Sequence, residues 1–195
     1  MGSKINYVAV FCGASLGKDE SIKETCNQLA DELLNSQIHL VFGGGKAGIM
    51  GMMADAMIQR NMKTIGVIPE SLKLKEVAHL GLNELIVVET MHQRKAIMAE
   101  KADAFIALPG GFGTFDELFE IITWNQLGII SKPVGLLNHK GFFNPLIDFL
   151  KSSSEKGFIK AQNLEMIIVE DEPKELIRKI IVAAEDESRK NAYLR

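Results

Sequence analysis

The sequence has few cysteines and no long apolar runs, which are the features of disulfide-linked and membrane-spanning proteins respectively. It contains two cysteines, Cys12 and Cys26, among 195 residues. Two cysteines are too few for a disulfide framework, and we expect them to be free thiols in a reducing cytoplasm. No stretch approaches the roughly 20 apolar residues of a membrane-spanning helix, so no membrane association is expected. The apolar run at residues 5–12 has only a thin basic flank and no small-residue cleavage site, which indicates a first buried strand and not a signal peptide.

The sequence also lacks a large excess of charge of either sign. The formal net charge is −3, and no block of five or more like charges occurs. Nucleic-acid binding calls for a basic face, so the charge pattern argues against nucleic acid as the main partner. The histidines at positions 39, 79 and 139 lack metal-ligand spacing, so we expect no metal and no other cofactor.

The pattern that is present predicts an α/β fold. Short apolar runs alternate with helical patterns, and several runs are apolar on successive residues, as in strands buried on both faces. Strand–helix alternation predicts a Rossmann-like, doubly wound parallel sheet of about seven strands with helices on both faces, in one nucleotide-binding domain over residues 1–195. A charged tail from about residue 186 is expected to fray. The predicted strands cover residues 5–12, 38–42, 64–68, 85–89, 104–108, 134–137 and 166–169.

Ligands of such folds bind beyond the carboxyl ends of the strands. The segments that follow the predicted strands therefore matter most, and three of the first five carry glycine. These segments are residues 13–15, 43–45, 69–70, 90–92 and 109–111.

The first glycine motif is residues 43–51 (GGGKAGIMG), between a strand and a helix. Glycines let a backbone approach a phosphate at a helix N-terminus, so Gly44 and Gly45 are candidate binding residues. The spacing of the glycines also fits the dinucleotide fingerprint, with Glu70 as the acidic residue about 20 positions on. A tight strand-to-helix turn would explain the same glycines, and Ala47 excludes a Walker P-loop.

The second glycine motif is residues 109–117 (PGGFGTFDE), before a helix predicted at residues 115–126. Gly110, Gly111 and Gly113 free backbone N–H groups to surround an anion, and the Thr114 hydroxyl would add a donor. A capping box between Thr114 and Glu117 would explain those two residues, but not the glycines before them.

Two shorter segments add polar groups. At residues 90–95 (TMHQRK), Arg94 and Lys95 lie near a predicted helix N-terminus, where cations are unfavourable unless an anion is near. A solvated basic pair is the alternative. After the first strand, Ser15 is a candidate hydroxyl donor, whereas no base pairs with Cys12 to make it a nucleophile.

Taken together, these motifs resemble the Lonely Guy (LOG) family of phosphoribohydrolases, which release a base, often a cytokinin, from a nucleoside 5′-monophosphate. The likeness runs in order from Val8 to about Ile159 and is most specific at residues 91–95 and 109–117. It implies that Arg94 and Glu117 are the catalytic pair. It also implies phosphate binding by Lys95, Thr114 and the glycines of the second motif. Asp116, where a Glu is usual, and Ala14, where a Ser is usual, depart from the pattern.

The reaction gives these residues roles. Cleavage of an N-glycosidic bond develops positive charge on the ribose, which glycosidases stabilise with carboxylates. Glu117 would orient or deprotonate the water, and Arg94 would keep Glu117 ionised or contact the ribose or the base. Glu70 is a candidate ribose or base contact, while the glycine loops would anchor the 5′-phosphate of the substrate.

Two alternatives stay open on the sequence. A non-catalytic nucleotide or cofactor carrier would use the same fold but not the Arg94 and Glu117 pair. A fragment of an NAD-dependent dehydrogenase would leave the second glycine motif unused. The resemblance and the apolar stretch at residues 119–130 predict a homodimer. The preferred base, adenine or prenylated adenine, depends on an apolar pocket that could draw on Met53, Met91, Met98, Phe112, Phe115 and Trp124.

Overall fold

A computed structural model describes residues 5–73 and 78–193, with side chains up to residue 186. Within these ranges the chain alternates strands with helices as predicted. The strands are β1 (Tyr7–Phe11), β2 (His39–Phe42), β3 (Thr64–Pro69), β4 (Glu84–Val88), β5 (Ala104–Ala107), β6 (Val134–Leu137) and β7 (Ile167–Glu170). The helices are α1 (Ile22–Asn35), α2 (Gly48–Gln59), α3 (Glu70–Lys73), α4 (Met91–Lys101), α5 (Phe112–Gln126), α6 (Asn144–Glu155), α7 (Ala161–Leu164) and α8 (Pro173–Tyr193), with a short 3₁₀ helix at His139–Gly141.

The strands form one parallel sheet in the order β4-β3-β2-β1-β5-β6-β7. The predicted fold class is confirmed, and the predicted strand ends agree with the observed ones to within two residues. The winding direction reverses between β1 and β5, which pair from Val8–Ala104 to Phe11–Ala107. A crevice between the loops that leave these two strands is where an open α/β sheet binds its ligand.

Apolar side chains cover both faces of the sheet. On one face, α1, α2 and α8 contribute Leu29, Met57 and Ile180 to one buried cluster. On the other face, α4 and α5 contribute Met98 and Leu118 to a second cluster. Burial on both faces explains why the central strands lack apolar–polar alternation.

The observed helix ends bear on two expectations from the sequence. Helix α8 continues to Tyr193, and residues 194–195 lie outside the described part, so fraying of the charged tail from about residue 186 stays a prediction. Helix α5 begins at Phe112, three residues before the predicted start. Of the helices in the described ranges, none has both the length and the apolar character to cross a membrane.

Candidate functional site

A cavity of about 890 Å³ opens at the winding reversal between β1 and β5. Its size is in the range typical of small-molecule sites. Backbone hydrogen bonds fix its floor, because the Gly13 amide donates to the Pro109 carbonyl at 3.1 Å and the Gly13 carbonyl accepts from the Ile49 amide at 3.0 Å. The loop after β1, the loop after β5 and the start of α2 are thereby joined around one space.

The N-terminus of α5 opens into this cavity. Gly111 is the N-cap residue and makes no side-chain capping bond, so capping does not satisfy the first N–H groups of the helix. Gly111 and Gly113 both line the cavity, and a Cβ built on either would meet nothing within 4 Å. An uncapped helix start behind open glycine backbone suits an anion such as a phosphate.

Gly110 has a different, structural reason to be glycine. A Cβ at this position would lie 2.1 Å from Thr114 Oγ1 and 2.9 Å from the Gly13 amide nitrogen. The Thr114 side chain is buried over Gly110, and both residues line the cavity. The structure thus brings Gly110, Gly111, Gly113 and Thr114 together, as the sequence predicts.

The capping box that the sequence allows between Thr114 and Glu117 is not formed. Because α5 begins at Phe112, Thr114 lies inside the first turn and Glu117 in the second. The other capping box is confirmed: the Thr90 hydroxyl accepts from the Gln93 amide, and the Gln93 side chain accepts from the Thr90 amide. Glu117 therefore lies beyond the N3 position that a capping box requires.

Arg94 and Glu117 form a buried ion pair in the wall of the cavity. Arg94 Nη2 lies 3.5 Å from Glu117 Oε1, and their side chains are 6% and 9% exposed. Arg94 extends from the first turn of α4 and Glu117 from α5, so the pair joins two helices on one face of the sheet. The interpretation of residues 94–95 as a solvated basic pair is wrong.

The Nε–H donor of the Arg94 guanidinium is unpaired in the described structure. Its Nη1 lies 3.8 Å from the Met91 sulfur, and its buried Nε has no hydrogen-bond partner in the described structure. A buried, unpaired N–H group on a cation is costly unless a ligand accepts from it. The Nε–H group is thus a candidate donor to a bound molecule.

The first glycine loop serves the fold more than the cavity. The Gly44 carbonyl accepts from the His79 amide at 2.9 Å, and Gly45 bridges to Ala78. Gly44 has a φ of +77° and packs on Ile68. Neither Gly44 nor Gly45 is among the described residues that line the cavity, and their role in substrate binding stays a prediction.

Gly43 is the glycine of this loop that bears on the site. A Cβ on Gly43 would lie 1.9 Å from Arg94 Nη2. From the sequence, Gly43 is noted only as the first glycine of the dinucleotide fingerprint, and nothing connects it to an arginine about 50 positions further along the chain.

Lys95 and Glu70 are not among the described residues that line the cavity, and their substrate contacts stay predictions. Lys95 pairs with Asp116 at 3.0 Å and Glu120 at 3.2 Å. Glu70 is exposed and pairs with Lys73 at 3.6 Å. Lys95 lies one residue beyond Arg94, so the helix directs the two side chains differently. Ser15 does line the cavity.

A polar cluster at the far end of the cavity was not predicted. His139 Nε2 lies 3.2 Å from Asp19 Oδ2, His139 Nδ1 lies 2.9 Å from Thr25 Oγ1, and Lys140 Nζ lies 2.9 Å from Asp19 Oδ2. Asp19 and His139 are 120 residues apart, so only the folded sheet brings them together. From the sequence alone, only metal ligation is weighed for His139.

Cys12 lines the cavity but is a poor nucleophile. Burial, and then the nearby Cys26 and Glu117, raise the pKa of the Cys12 thiol well above its ordinary value. The thiol therefore stays protonated at neutral pH, and the absence of a catalytic role for Cys12 stays a prediction. Of the six side chains considered for a base pocket, Met91 lines the cavity, whereas Met53 and Met98 belong to the core.

Solved structures similar to this one share its fold. The molybdenum cofactor carrier protein of Chlamydomonas reinhardtii superposes with a TM-score of 0.68 at 18% identity, covering 91% of this chain and 98% of that one. The molybdenum cofactor binding protein of Rippkaea orientalis has a TM-score of 0.66 at 22% identity, covering 90% of this chain and 97% of that one. At these identities the likeness concerns the fold alone.

Sequence relatives are considerably nearer. The cytokinin riboside 5′-monophosphate phosphoribohydrolase LOG1 of Arabidopsis thaliana is 46% identical over 178 residues, which are 91% of this chain and 84% of that protein. The probable cytokinin riboside 5′-monophosphate phosphoribohydrolase LOGL2 of Oryza sativa subsp. japonica is also 46% identical, over 91% of this chain and 73% of that protein. The family model described as possible lysine decarboxylase matches residues 50–180. The chain belongs to the Lonely Guy (LOG) family.

Proposed function

We propose that this protein hydrolyses the N-glycosidic bond of a nucleoside 5′-monophosphate, AMP or an N6-prenylated AMP, to the free base and ribose 5-phosphate. The observation that carries the proposal is the buried pair of Arg94 and Glu117 beside the uncapped start of α5, within one cavity. The names of the relatives support the same reaction and the same substrate class.

The 5′-phosphate is assigned to the start of α5. Gly111 and Gly113 leave space there, the Thr114 hydroxyl is close by, and the helix N-terminus favours negative charge. Binding energy from the phosphate, which takes no part in the reaction, would orient the sugar at the catalytic pair.

The catalytic pair supplies the chemistry at C1′ of the ribose. The bond from C1′ to the base breaks with its electrons passing to the base, and a bond from C1′ to the oxygen of water forms. Glu117 takes a proton from that water, and its carboxylate stabilises the positive charge on the sugar. The proton passes in the end to the departing base, so that water is divided between the two products.

Arg94 has two tasks in this reaction. It pairs with Glu117, which keeps the carboxylate ionised, and its unpaired Nε–H donates to the substrate. The donor is in place before the substrate binds, because Arg94 is buried and contacts Glu117 and Met91. Such preorganised donors are among the largest contributions to catalysis.

The base is assigned to the apolar part of the cavity. Met50, Leu72 and Met91 line it there, and Met50 and Met91 adjoin Gly43 and Arg94. Methionines adapt to ligands of irregular shape, which suits a base carrying an alkyl substituent. We propose on this ground that a prenyl group on the adenine is accommodated.

The test is a product assay with AMP, N6-prenyl-AMP and adenosine, each separated by chromatography for free base. Both monophosphates should release base together with an equal amount of ribose 5-phosphate, and adenosine should release almost none. Equal turnover of adenosine and AMP would contradict the role of the phosphate. If a monophosphate binds by calorimetry but releases no base, a carrier function replaces hydrolysis.

We also propose that the protein is a cytoplasmic homodimer. The segment from α5 onward exposes large apolar side chains, with Phe119 at 36%, Leu127 at 64% and Ile129 at 63% exposure. Exposed apolar patches of this kind mark interfaces. Both cysteines are free, in keeping with a reducing compartment. Sedimentation at micromolar concentration should give twice the 21.5 kDa of the chain, and a monomeric mass would contradict the dimer.

A further inference from the structure

Two ion pairs lie side by side between α4 and α5. Inside the cavity wall, Arg94 of α4 pairs with Glu117 of α5 at 3.5 Å. Next to it, Lys95 of α4 pairs with Asp116 at 3.0 Å and with Glu120 at 3.2 Å, both on α5. Arg94 and Lys95 are consecutive on α4, and Asp116 and Glu117 are consecutive on α5. One ion pair between the helices thus faces the cavity, and the other lies outside it.

The contacts of the Lys95 ammonium with Asp116 and Glu120 use all of its donors. Its side chain is 11% exposed, and Nζ lies 3.3 Å and 3.0 Å from the two oxygens of Asp116 and 3.2 Å from Glu120 Oε1. An ammonium has three donors, and these contacts use all three. Burial alone would lower the pKa of Lys95, but the hydrogen bonds and charges of Asp116 and Glu120 outweigh it and raise that pKa. A charged Lys95 is therefore held between carboxylates and has no donor for a phosphate.

The spacing between α4 and α5 matters because the catalytic pair spans it. A charge-assisted N–H···O bond has its optimum near 2.7–2.9 Å. The distance of 3.5 Å between Arg94 and Glu117 lies beyond that optimum, so a small outward movement of either helix would separate the two groups. A displacement of about 1 Å in an active site can lower turnover by about 100-fold.

We propose that Lys95, together with Asp116 and Glu120, is a positioning residue that sets the distance between α4 and α5 and thereby aligns Arg94 with Glu117. The inference rests on the proposed function, because Arg94 and Glu117 are the catalytic pair of that function. It replaces the phosphate-binding role that the family resemblance implies for Lys95, and it gives Asp116, where the family pattern has Glu, a definite partner.

The experiment compares Lys95→Met and the double variant Asp116→Asn with Glu120→Gln against the unmodified protein, with AMP as substrate. The turnover number kcat should fall about 10-fold or more, while KM and the Kd for AMP change by no more than about twofold. Asp116→Glu, which keeps the charge, should retain most of the turnover. In a Glu117→Gln background, Lys95→Met should have no further effect on turnover, since both act through one pair.

A matched control comes from the other face of the sheet. Arg60 of α2 pairs with Asp31 of α1 at 2.7 Å, which is also a link between two packed helices. Arg60→Met should lower the melting temperature about as much as Lys95→Met does, but it should leave kcat unchanged. The comparison separates helix stability from alignment of the catalytic pair.

A readout without turnover keeps this inference distinct from the proposed function. The Arg94 Nε–H group is buried, so its proton exchanges slowly, and its NMR signal can be assigned from the loss seen in Arg94→Lys. Lys95→Met should shift this signal, as Glu117→Gln does, whereas Arg60→Met should not. If the unmodified protein releases no base, the proposed function fails, but the Arg94 signal still decides the role of Lys95.

Two results would overturn the inference. In one, Lys95→Met raises the Kd for AMP tenfold or more with kcat unchanged, which would make Lys95 a phosphate ligand. In the other, Lys95→Met leaves both kcat and the Arg94 signal as in the unmodified protein. If Lys95→Met does not fold, the variants at the exposed Asp116 give the same test.

Discussion

Gly43 leaves the space through which the guanidinium of Arg94 reaches Glu117. A Cβ on Gly43 would lie 1.9 Å from Nη2 and 2.9 Å from Cζ of Arg94. The strand β2 ends at Phe42, so the fold positions this glycine at the edge of the sheet where α4 passes over it. The requirement for glycine here comes from space, and a side chain at this position would be in direct conflict with the catalytic arginine.

Gly43→Ala should therefore lower activity without unfolding the protein. The atoms that a new Cβ would meet belong to the ends of Arg94 and Met50, which can move at small cost to the fold. We expect turnover of AMP to fall about 10-fold or more, because the guanidinium leaves its position beside Glu117. Base release and a thermal melt are the measurements. In an Arg94→Ala background the glycine substitution should add nothing, and a further loss there would show a second role for Gly43.

Alanine substitutions at the neighbouring Gly110 and Gly111 should have different effects, one on stability and the other on AMP binding. Gly111→Ala places a methyl group in open space, so the melting temperature should be unchanged while the Kd for AMP rises several-fold. Gly110→Ala drives a Cβ to 2.9 Å from the Gly13 backbone and should lower the melting temperature by several degrees. Calorimetry with AMP and thermal melts of both variants test this. Unchanged AMP affinity in Gly111→Ala would move the phosphate away from α5.

Local pattern was sufficient to predict the sheet and the second glycine loop. The strands read as buried apolar runs, and residues 109–114 carry their glycines, the threonine and the helix start within one short segment. Arg94 and Glu117 were found through the resemblance, and the structure shows them paired at 3.5 Å. Their roles in substrate binding and catalysis stay predictions.

Contacts between residues that are far apart in the chain could not be predicted from the sequence. Lys95 follows Arg94 directly, and nothing in the chain shows that one turns into the cavity while the other meets Asp116. Gly44 and Gly45 fit a phosphate loop by spacing, yet their surroundings, His79 and Ala78, lie more than 30 residues away. The Asp19–His139 contact joins residues 120 apart. Such contacts depend on which helices and loops become neighbours, which periodicity does not encode.

Cys12 should resist alkylation although it lines the cavity. Burial raises the pKa of its thiol well above the ordinary value, and burial raises the pKa of Cys26 to about 12. Since the thiolate is the reactive form, neither cysteine should react appreciably at pH 8. Treatment of the native protein with iodoacetamide at pH 8 should leave turnover intact, while the denatured protein takes up two equivalents. Rapid inactivation of the native protein would show an activated thiol.

Asp19 should contribute to stability in a pH-dependent way. The Ser21 hydroxyl, then Lys140 and His139, hydrogen-bond its carboxylate and hold the pKa of Asp19 well below its ordinary value. A carboxylate whose pKa is lower in the folded state stabilises the fold above its unfolded pKa of about 3.9, and this stabilisation is lost as the pH falls toward the folded pKa. Asp19→Asn should therefore lower the free energy of unfolding at pH 7, and the deficit should shrink below about pH 4. Urea unfolding at pH 7, 5 and 3 measures it, and a deficit that does not vary with pH would contradict the ionic contribution.

Glu117→Gln tests the chemistry itself. Glutamine keeps the size of the buried side chain, and no capping bond is lost, since α5 begins well before Glu117 and its N-cap is Gly111. The Kd for AMP should therefore stay near that of the unmodified protein, whereas the melting temperature should fall, because Arg94 loses the charge of its buried partner.

Turnover should nevertheless fall by about 100-fold or more, because an amide neither accepts the proton of water nor stabilises a cationic sugar. Arg94→Ala should also reduce turnover and, unlike Glu117→Gln, weaken binding, since it removes the buried, unpaired Nε–H donor that we assign to the substrate. The measurements are release of free base and ribose 5-phosphate from AMP and N6-prenyl-AMP, calorimetry and a thermal melt of each variant. A glutamine variant with undiminished turnover would remove Glu117 from the mechanism. Another group would then have to take the proton from water, while the roles of the phosphate site and of Arg94 would stand.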